Sequence, residues 1–511
     1  MKMTVKMLSK VAFASLAFAC VDAAYAADID TTPGVTLSAE NKYIGAGTLT
    51  VSGGGDVWLG GGGGSPITEF AMTGGLIDIV SGTTLKNGGW QKGVWTDNKA
   101  GMQVNGTLDV FDGNNIFADA LTGSGTVTMG DISWSTLNKS ITVGVNGGGG
   151  TFTGTISDSG DDTIGIIKEG GGKQILTGPN TYRGATTING GTLKLQGAAF
   201  YTTARAYSIA SGAVLNLDGG TGVAWGNTTI SGTGTLRISG GWQGSGDDGR
   251  DLTLALGSGA VIEIQPGATL YNGGWQNMTW TDNKASLQVD GTLEMTNGNW
   301  IFADALTGSG AVTMDVSWAQ WDNSIIVGVN GGGGTFTGTI SDSGDDTLSL
   351  IKTGGGTQIL TGANTYRGAT TINGGTLRIV GNSSGAGALT VASGARLGGT
   401  GSYGGSITML AGAGLNCELS VTDSTLTCAG QLSFNNLDFE SCAFTGAVGA
   451  GYPPYRRIPL IEAASLGTTT FANGASSTEG TIAGVPAKLY LKGNILMLDV
   501  GYTPGTRISF F

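Results

Sequence analysis

The sequence predicts an all-β protein, a right-handed parallel β-helix (β-solenoid) with a C-terminal β cap. Three observations carry this reading. Short alternating apolar runs recur along the chain, bounded by Gly, Asn, Asp or Ser. Glycine fills 96 of 511 positions, far above the usual ~7%, without the Gly-X-Y period that would make a collagen. And a long stretch of sequence occurs twice.

The runs come first because they set the strands. Leu49–Val51, Leu76–Ile79, Met102–Val104, Val127–Met129 and Ile141–Val143 alternate at period two, as half-buried strands do. A sandwich would want strands of ~5–6 residues joined by discrete hairpins. Shorter strands, denser turns and no break in the pattern instead favour coils stacked ~4.8 Å apart, each strand pairing with its equivalent in the next coil. Glycine and asparagine supply the corners. Only Tyr201–Ala210 reads as a short helix.

The duplication organises the middle of the chain. Asn87–Gln91 recurs as Asn272–Gln276, and Trp95–Ala100 as Trp280–Ala285. Ile116–Gly125 recurs as Ile301–Gly310, after which Gly130 has no counterpart. Gly144–Thr163 is then identical to Gly328–Thr347, and Asn180–Leu193 to Asn364–Leu377. The expected organisation is a signal peptide (1–26), a first β-helical module (27–219), a second (220–381), further coils (382–430) and a β cap (431–511). The cap is read from its prolines, Pro453, Pro454, Pro459, Pro486 and Pro504, which cannot donate to a next rung.

The N-terminus reads as an export signal. Lys2, Lys6 and Lys10 precede the apolar run Val11–Val21, which is too short to span a bilayer as a helix of ~20 residues. Ala24–Ala26 is an A-x-A site, so cleavage is expected between Ala26 and Ala27. No later segment offers ~18 consecutive apolar residues, so no transmembrane helix is expected. In an exported chain one disulfide can form among Cys417, Cys428 and Cys442.

Composition excludes several functions. The chain has no histidine, which removes Ser-His-Asp and Cys-His catalysis and histidine-ligated metals. The net charge of −12 would repel a phosphate backbone, so nucleic acid is not an expected partner. No Cys-x-x-Cys pair supports zinc, and the runs Gly60–Gly64 and Gly147–Gly150 lack the Lys-Ser/Thr of a phosphate loop. No catalytic, cofactor-binding or metal-binding residue is assigned, and no cofactor is expected.

Two groups of residues are candidate sites. Asp158, Asp161 and Asp162, with Asp342, Asp345 and Asp346, read chiefly as solvated turns. Calcium ligation and acid–base work on a polysaccharide are the functional alternatives. Trp90, Trp95 and Trp134, with Trp275, Trp280 and Trp318, read chiefly as packing over turns and strand edges, and alternatively as stacking platforms for sugars or a protein partner.

Ile167–Leu193 and Ile351–Leu377 resemble the autotransporter-associated β-strand repeat, also called the passenger-associated transport repeat. Both carry the pattern of an apolar strand, a Gly-rich turn, Leu-Thr-Gly-x-Asn-Thr-Tyr-x-Gly-x-Thr and a closing Gly-Thr-Leu. The resemblance implies export to the cell surface, outer membrane or exterior of a Gram-negative-type bacterium. No series of ~10-residue amphipathic strands comes after the second repeat, so a translocator barrel is not evident and translocation machinery, if needed, is expected in trans. The expected function is that of an elongated surface or secreted protein with a structural or adhesive role, not an enzyme. Expected partners are surface glycans or host cell-surface proteins. The alternative is a secreted polysaccharide-active enzyme on the same scaffold.

Overall fold

A computed structural model describes residues 29–30, 42–59, 69–88, 93–130, 137–197, 205–219, 228–243, 252–272, 278–295, 300–314, 322–385, 387–419, 425–446 and 456–501. The signal-peptide segment and the Ala26–Ala27 junction lie outside them. The chain divides into two units, Met1–Thr253 and Leu254–Phe511.

The first unit is built of parallel strands stacked rung upon rung. Thr48–Ser52 pairs with Leu76–Ile79, which pairs with Gly101–Val104, then Leu121–Thr122. A second wall runs from Gly55–Trp58 through Thr83–Lys86, Thr107–Asp109 and Thr126–Met129 to Thr155–Asp158. The register stacks like on like: Leu49 lies opposite Ile77, and Ile77 opposite Met102. All three are fully buried. Their column is the period-two face of the sequence turned inward, where each rung covers the apolar side chains of the last.

Of the helix expected at Tyr201–Ala210, residues 201–204 lie outside the described residues, and the structure corrects the rest. Ala206–Ile209 is a strand, paired in parallel with Thr186–Ile188 on one side and Thr228–Gly232 on the other. Tyr207 and Ile209 point inward and Ala206 and Ser208 outward, a period-two pattern that a helix would scatter around its axis.

The second unit repeats this construction. Ile301–Ala303, Asp322–Val327, Thr347–Lys352, Thr370–Ile372, Leu389–Val391 and Ile407–Met409 form one parallel wall. At the C-terminal end the strands lengthen. Leu426–Leu437 spans 12 residues and pairs in parallel with Arg456–Phe471, of 16. The chain then turns antiparallel through Ile495–Val500, Val485–Lys492 and Ser477–Ile482. Pro459 sits where the Arg456–Phe471 register slips against Ile495–Val500, a bulge that tolerates a residue without an N–H. The two halves of the molecule are therefore all-β solenoids of the parallel β-helix type. Among the described residues no helix is long and apolar enough to cross a membrane.

Candidate functional site

The residues that carry polar chemistry mostly act between rungs. In the inward column Val143, Lys168, Ile188, a lysine stands where apolar side chains stand on either side. Lys168 is fully buried. Its ammonium donates to the carbonyls of Glu169, Gly170 and Gly190, thereby capping the Gly-rich turns of two rungs. Burial pushes its pKa below the ordinary value. Gly144, at φ 85°, makes room: a Cβ there would lie 2.2 Å from the Glu169 carbonyl oxygen and 2.9 Å from the Lys168 Nζ. Lys352 repeats the arrangement on Thr353, Gly354 and Gly374.

The acidic turns are also ties. The Asp158 carboxylate is fully shielded from solvent. It accepts from the backbone N–H of Ile164 and of Arg183, each at 2.8 Å, and pairs with the Arg183 guanidinium at 2.7 Å. Arg183 also donates to the Asp162 carbonyl at 2.6 Å, while the Asp162 carboxylate accepts from Leu137 N–H at 2.6 Å. Asp342 makes the same bonds to Leu348 and Arg367. Of each trio, only Asp161 and Asp345 are exposed. A carboxylate engaged in three hydrogen bonds and closed off from solvent offers no open face to a cation or a substrate. Among the described residues no cluster of three or more His, Cys, Asp or Glu gathers as metal ligands.

Trp95 and Trp280 are buried. Their indole N–H groups donate to Asn87 at 3.1 Å and Asn272 at 2.9 Å, and Trp95 stacks on Phe70 with ring centroids 4.0 Å apart. These two cannot serve as sugar platforms. Trp90, Trp134, Trp275 and Trp318 lie outside the described residues.

Cys417, Cys428 and Cys442 are free thiols in this structure. Cys417 lies opposite Phe444, and Cys428 lies between Tyr403 and Ala463. Burial raises the pKa of all three, so none is an activated thiolate.

Several ties have no counterpart in the sequence reading. The Gln174 side chain exchanges two hydrogen bonds with the Leu121 backbone, and Gln358 does so with Leu306. Asp119 accepts from Asn146 and Gly148 N–H, each at 2.8 Å, holding the Gly-rich loop of the next rung; Asp304 holds Asn330 and Gly332. One signal for Lys168 was legible. A lysine on the inward parity of an apolar strand, one residue short of a glycine run and repeated at Lys352, is out of place unless its head has carbonyls to cap.

The geometry defines a class: a β-solenoid scaffold whose rungs are cross-tied by buried polar side chains. Comparison with known proteins agrees. The passenger-associated-transport-repeat model matches residues 166–195 and 350–379, the two segments that hold Lys168 and Lys352, Tyr182 and Tyr366, and the clamp arginines Arg183 and Arg367. The chain is 32% identical over 286 residues to the protein named Adhesin BmaC autotransporter of Brucella suis biovar 1 (strain 1330). That match covers 48% of this chain and 8% of the length of the relative. No solved structure matches. The chain carries two passenger-associated transport repeats.

Proposed function

We propose that this protein is an exported passenger-type surface protein with an adhesive and structural role. The observation that carries the reading is the pair of matched repeats on a cross-tied solenoid, together with similarity to a protein named as an adhesin. The chemistry of the acidic turns supports a binding role over catalysis, because Asp158 and Asp342 are spent on arginine and backbone N–H groups. Export depends on the segment 1–26, with processing between Ala26 and Ala27, and leads to the cell surface, outer membrane or exterior. The partners are glycans or proteins of another surface.

The test joins location to binding. Protease added to intact cells of the native host should degrade the protein, and N-terminal sequencing should begin at Ala27. Beads coated with the 27–511 chain should attach to epithelial cells more than beads coated with albumin. Protection from protease in intact cells, or attachment no better than albumin, would overturn the proposal.

A further inference from the structure

Near the C-terminal end of the second unit, four successive strands place polar residues in one line. Asn382 lies opposite Ser402, Ser402 opposite Thr427, and Thr427 opposite Glu462. Two residues further along each strand lies a second line of small residues: Ser384, Gly404, Ala429 and Ala464. Between the lines Ser383, Tyr403, Cys428 and Ala463 turn inward and are buried. The outer face is thus a trough of about 540 Å³, with a wall of hydroxyl, amide and carboxylate groups and a floor of short side chains. Ser402 Oγ donates to Asn382 Oδ1 at 2.7 Å, so part of the wall is already oriented.

We propose that this trough binds an extended, uncharged glycan lying across the strands, one sugar to each rung. The inference rests on the adhesive reading above and names its ligand class and site. Three physical points favour a glycan. Rungs repeat at ~4.8 Å, about the advance of one sugar in an extended β-1,4-linked chain. An extended peptide would present same-face side chains every ~6.8 Å and fall out of step within two rungs. Asn382, Ser402 and Thr427 can each donate and accept, and Glu462 accepts, a mix of the kind that pairs with sugar hydroxyls. Among the described residues Glu462 is the one charged group lining the trough, and no lysine or arginine lines it, which disfavours acidic polysaccharides.

The experiment titrates the 27–511 chain into fluorescein-labelled chitohexaose, with labelled oligogalacturonate as the anionic control, and reads anisotropy. Ala429→Arg fills the floor at an exposed position, and Thr427→Ala removes one hydroxyl from the wall. Circular dichroism and melting temperature check that both variants fold. The expected result is saturable binding of chitohexaose, weakened about ten-fold or more by Ala429→Arg and less by Thr427→Ala. Absence of chitohexaose binding, preference for oligogalacturonate, or binding unchanged in a folded Ala429→Arg chain would each overturn the trough assignment. The bead assay, run with the same variants, separates the two claims. Attachment that survives Ala429→Arg leaves the adhesive role standing and the trough refuted. Attachment absent from the unmodified chain refutes the adhesive role itself.

Discussion

The two repeat modules differ least where they are most buried. Between Ile164–Gln196 and Leu348–Val380 the apolar interior side chains change only from Ile164 to Leu348, Ile166 to Leu350 and Leu195 to Ile379, all volume-conserving, while the buried Gly165 becomes the half-buried Ser349. The polar ties are identical: Lys168 and Lys352, Gln174 and Gln358, Asn180 and Asn364, Tyr182 and Tyr366, Arg183 and Arg367. Outside, the copies drift. Glu169 becomes Thr353, Lys173 becomes Thr357, and Lys194, paired with Asp218, becomes Arg378, paired with Glu418. The neighbouring rungs differ as well. The Arg205 guanidinium covers the Tyr182 ring at 4.2 Å, whereas beside the second copy Tyr403 donates to Thr370 at 3.0 Å. The duplication preserved a folding unit and left its surface free to change. Repetition here is evidence about assembly of rungs, and the display surface must be sought among residues that the copies do not share.

The largest effect should come from removing what neither copy contains. In a solenoid each rung contacts only its neighbours, so an end rung needs a cover. Deleting 431–511 strips the antiparallel strands and part of Leu426–Leu437 from the last rungs. The truncated chain should aggregate on size-exclusion chromatography although both modules are intact. A monomeric truncation that melts with the full chain would show that the modules are self-sufficient.

Next come the buried lysines. Lys168→Met or Lys352→Met keeps the length of the side chain and removes the donors from three carbonyls, a loss of about 2–3 kcal/mol in each module. Hydrogen exchange followed by mass spectrometry should show the loosening confined to the altered module. Equal loosening in both copies would mean that the ties are not local.

The arginine clamps should matter less. Asp158→Asn or Asp342→Asn keeps an acceptor but loses the charge, for a cost of about 1–2 kcal/mol. The Asp158 variant should cost more, because Arg183 is the less exposed of the two partners, 34% against 44%. The reverse ranking in denaturant melts would show that exposure does not set the strength of the clamp.

Alkali tests the shared tyrosines. The Tyr182 and Tyr366 phenols are pushed up to about 12 by burial, from 10.0. The folded state therefore keeps protons that the unfolded state releases. Their stabilisation is full below pH 10 and is lost as pH rises through about 12. Lys168 and Lys352 act oppositely, since their lowered pKa values make stability rise as pH climbs toward 10.5. Melting temperature should hold or rise to about pH 10 and then drop. Tyr366→Phe should blunt the drop in the second module only.

The smallest effect should be the exchange of surfaces. Glu169→Thr with Lys173→Thr gives the first copy two of the exterior residues of the second, and stability should move within about 0.5 kcal/mol. A larger change in chemical melts would reveal that the exterior pairings, such as Asn189 donating to Glu169 at 2.7 Å, carry more than their exposure implies.

Alternation and punctuation alone determined that this chain forms short strands in a parallel solenoid, because strand parity is a local property written every two residues. The duplication and the repeat motif were equally legible, being identities along the chain. The one local misreading, a helix at Tyr201–Ala210, arose where a strand is bounded weakly and only pairing with Thr186–Ile188 decides its state. Side-chain roles were decided by tertiary structure. Asp158 meets Arg183 across 25 residues, and Gln174 meets Leu121 across 53. Trp95 is buried through Phe70 and Asn87. Coil lengths vary, since Leu49, Ile77, Met102 and Leu121 stand opposite one another at unequal spacings. No fixed offset in the sequence therefore states which residue lies on which, and the register that turns acidic turns into clamps and aligns the polar trough exists only once the rungs are stacked.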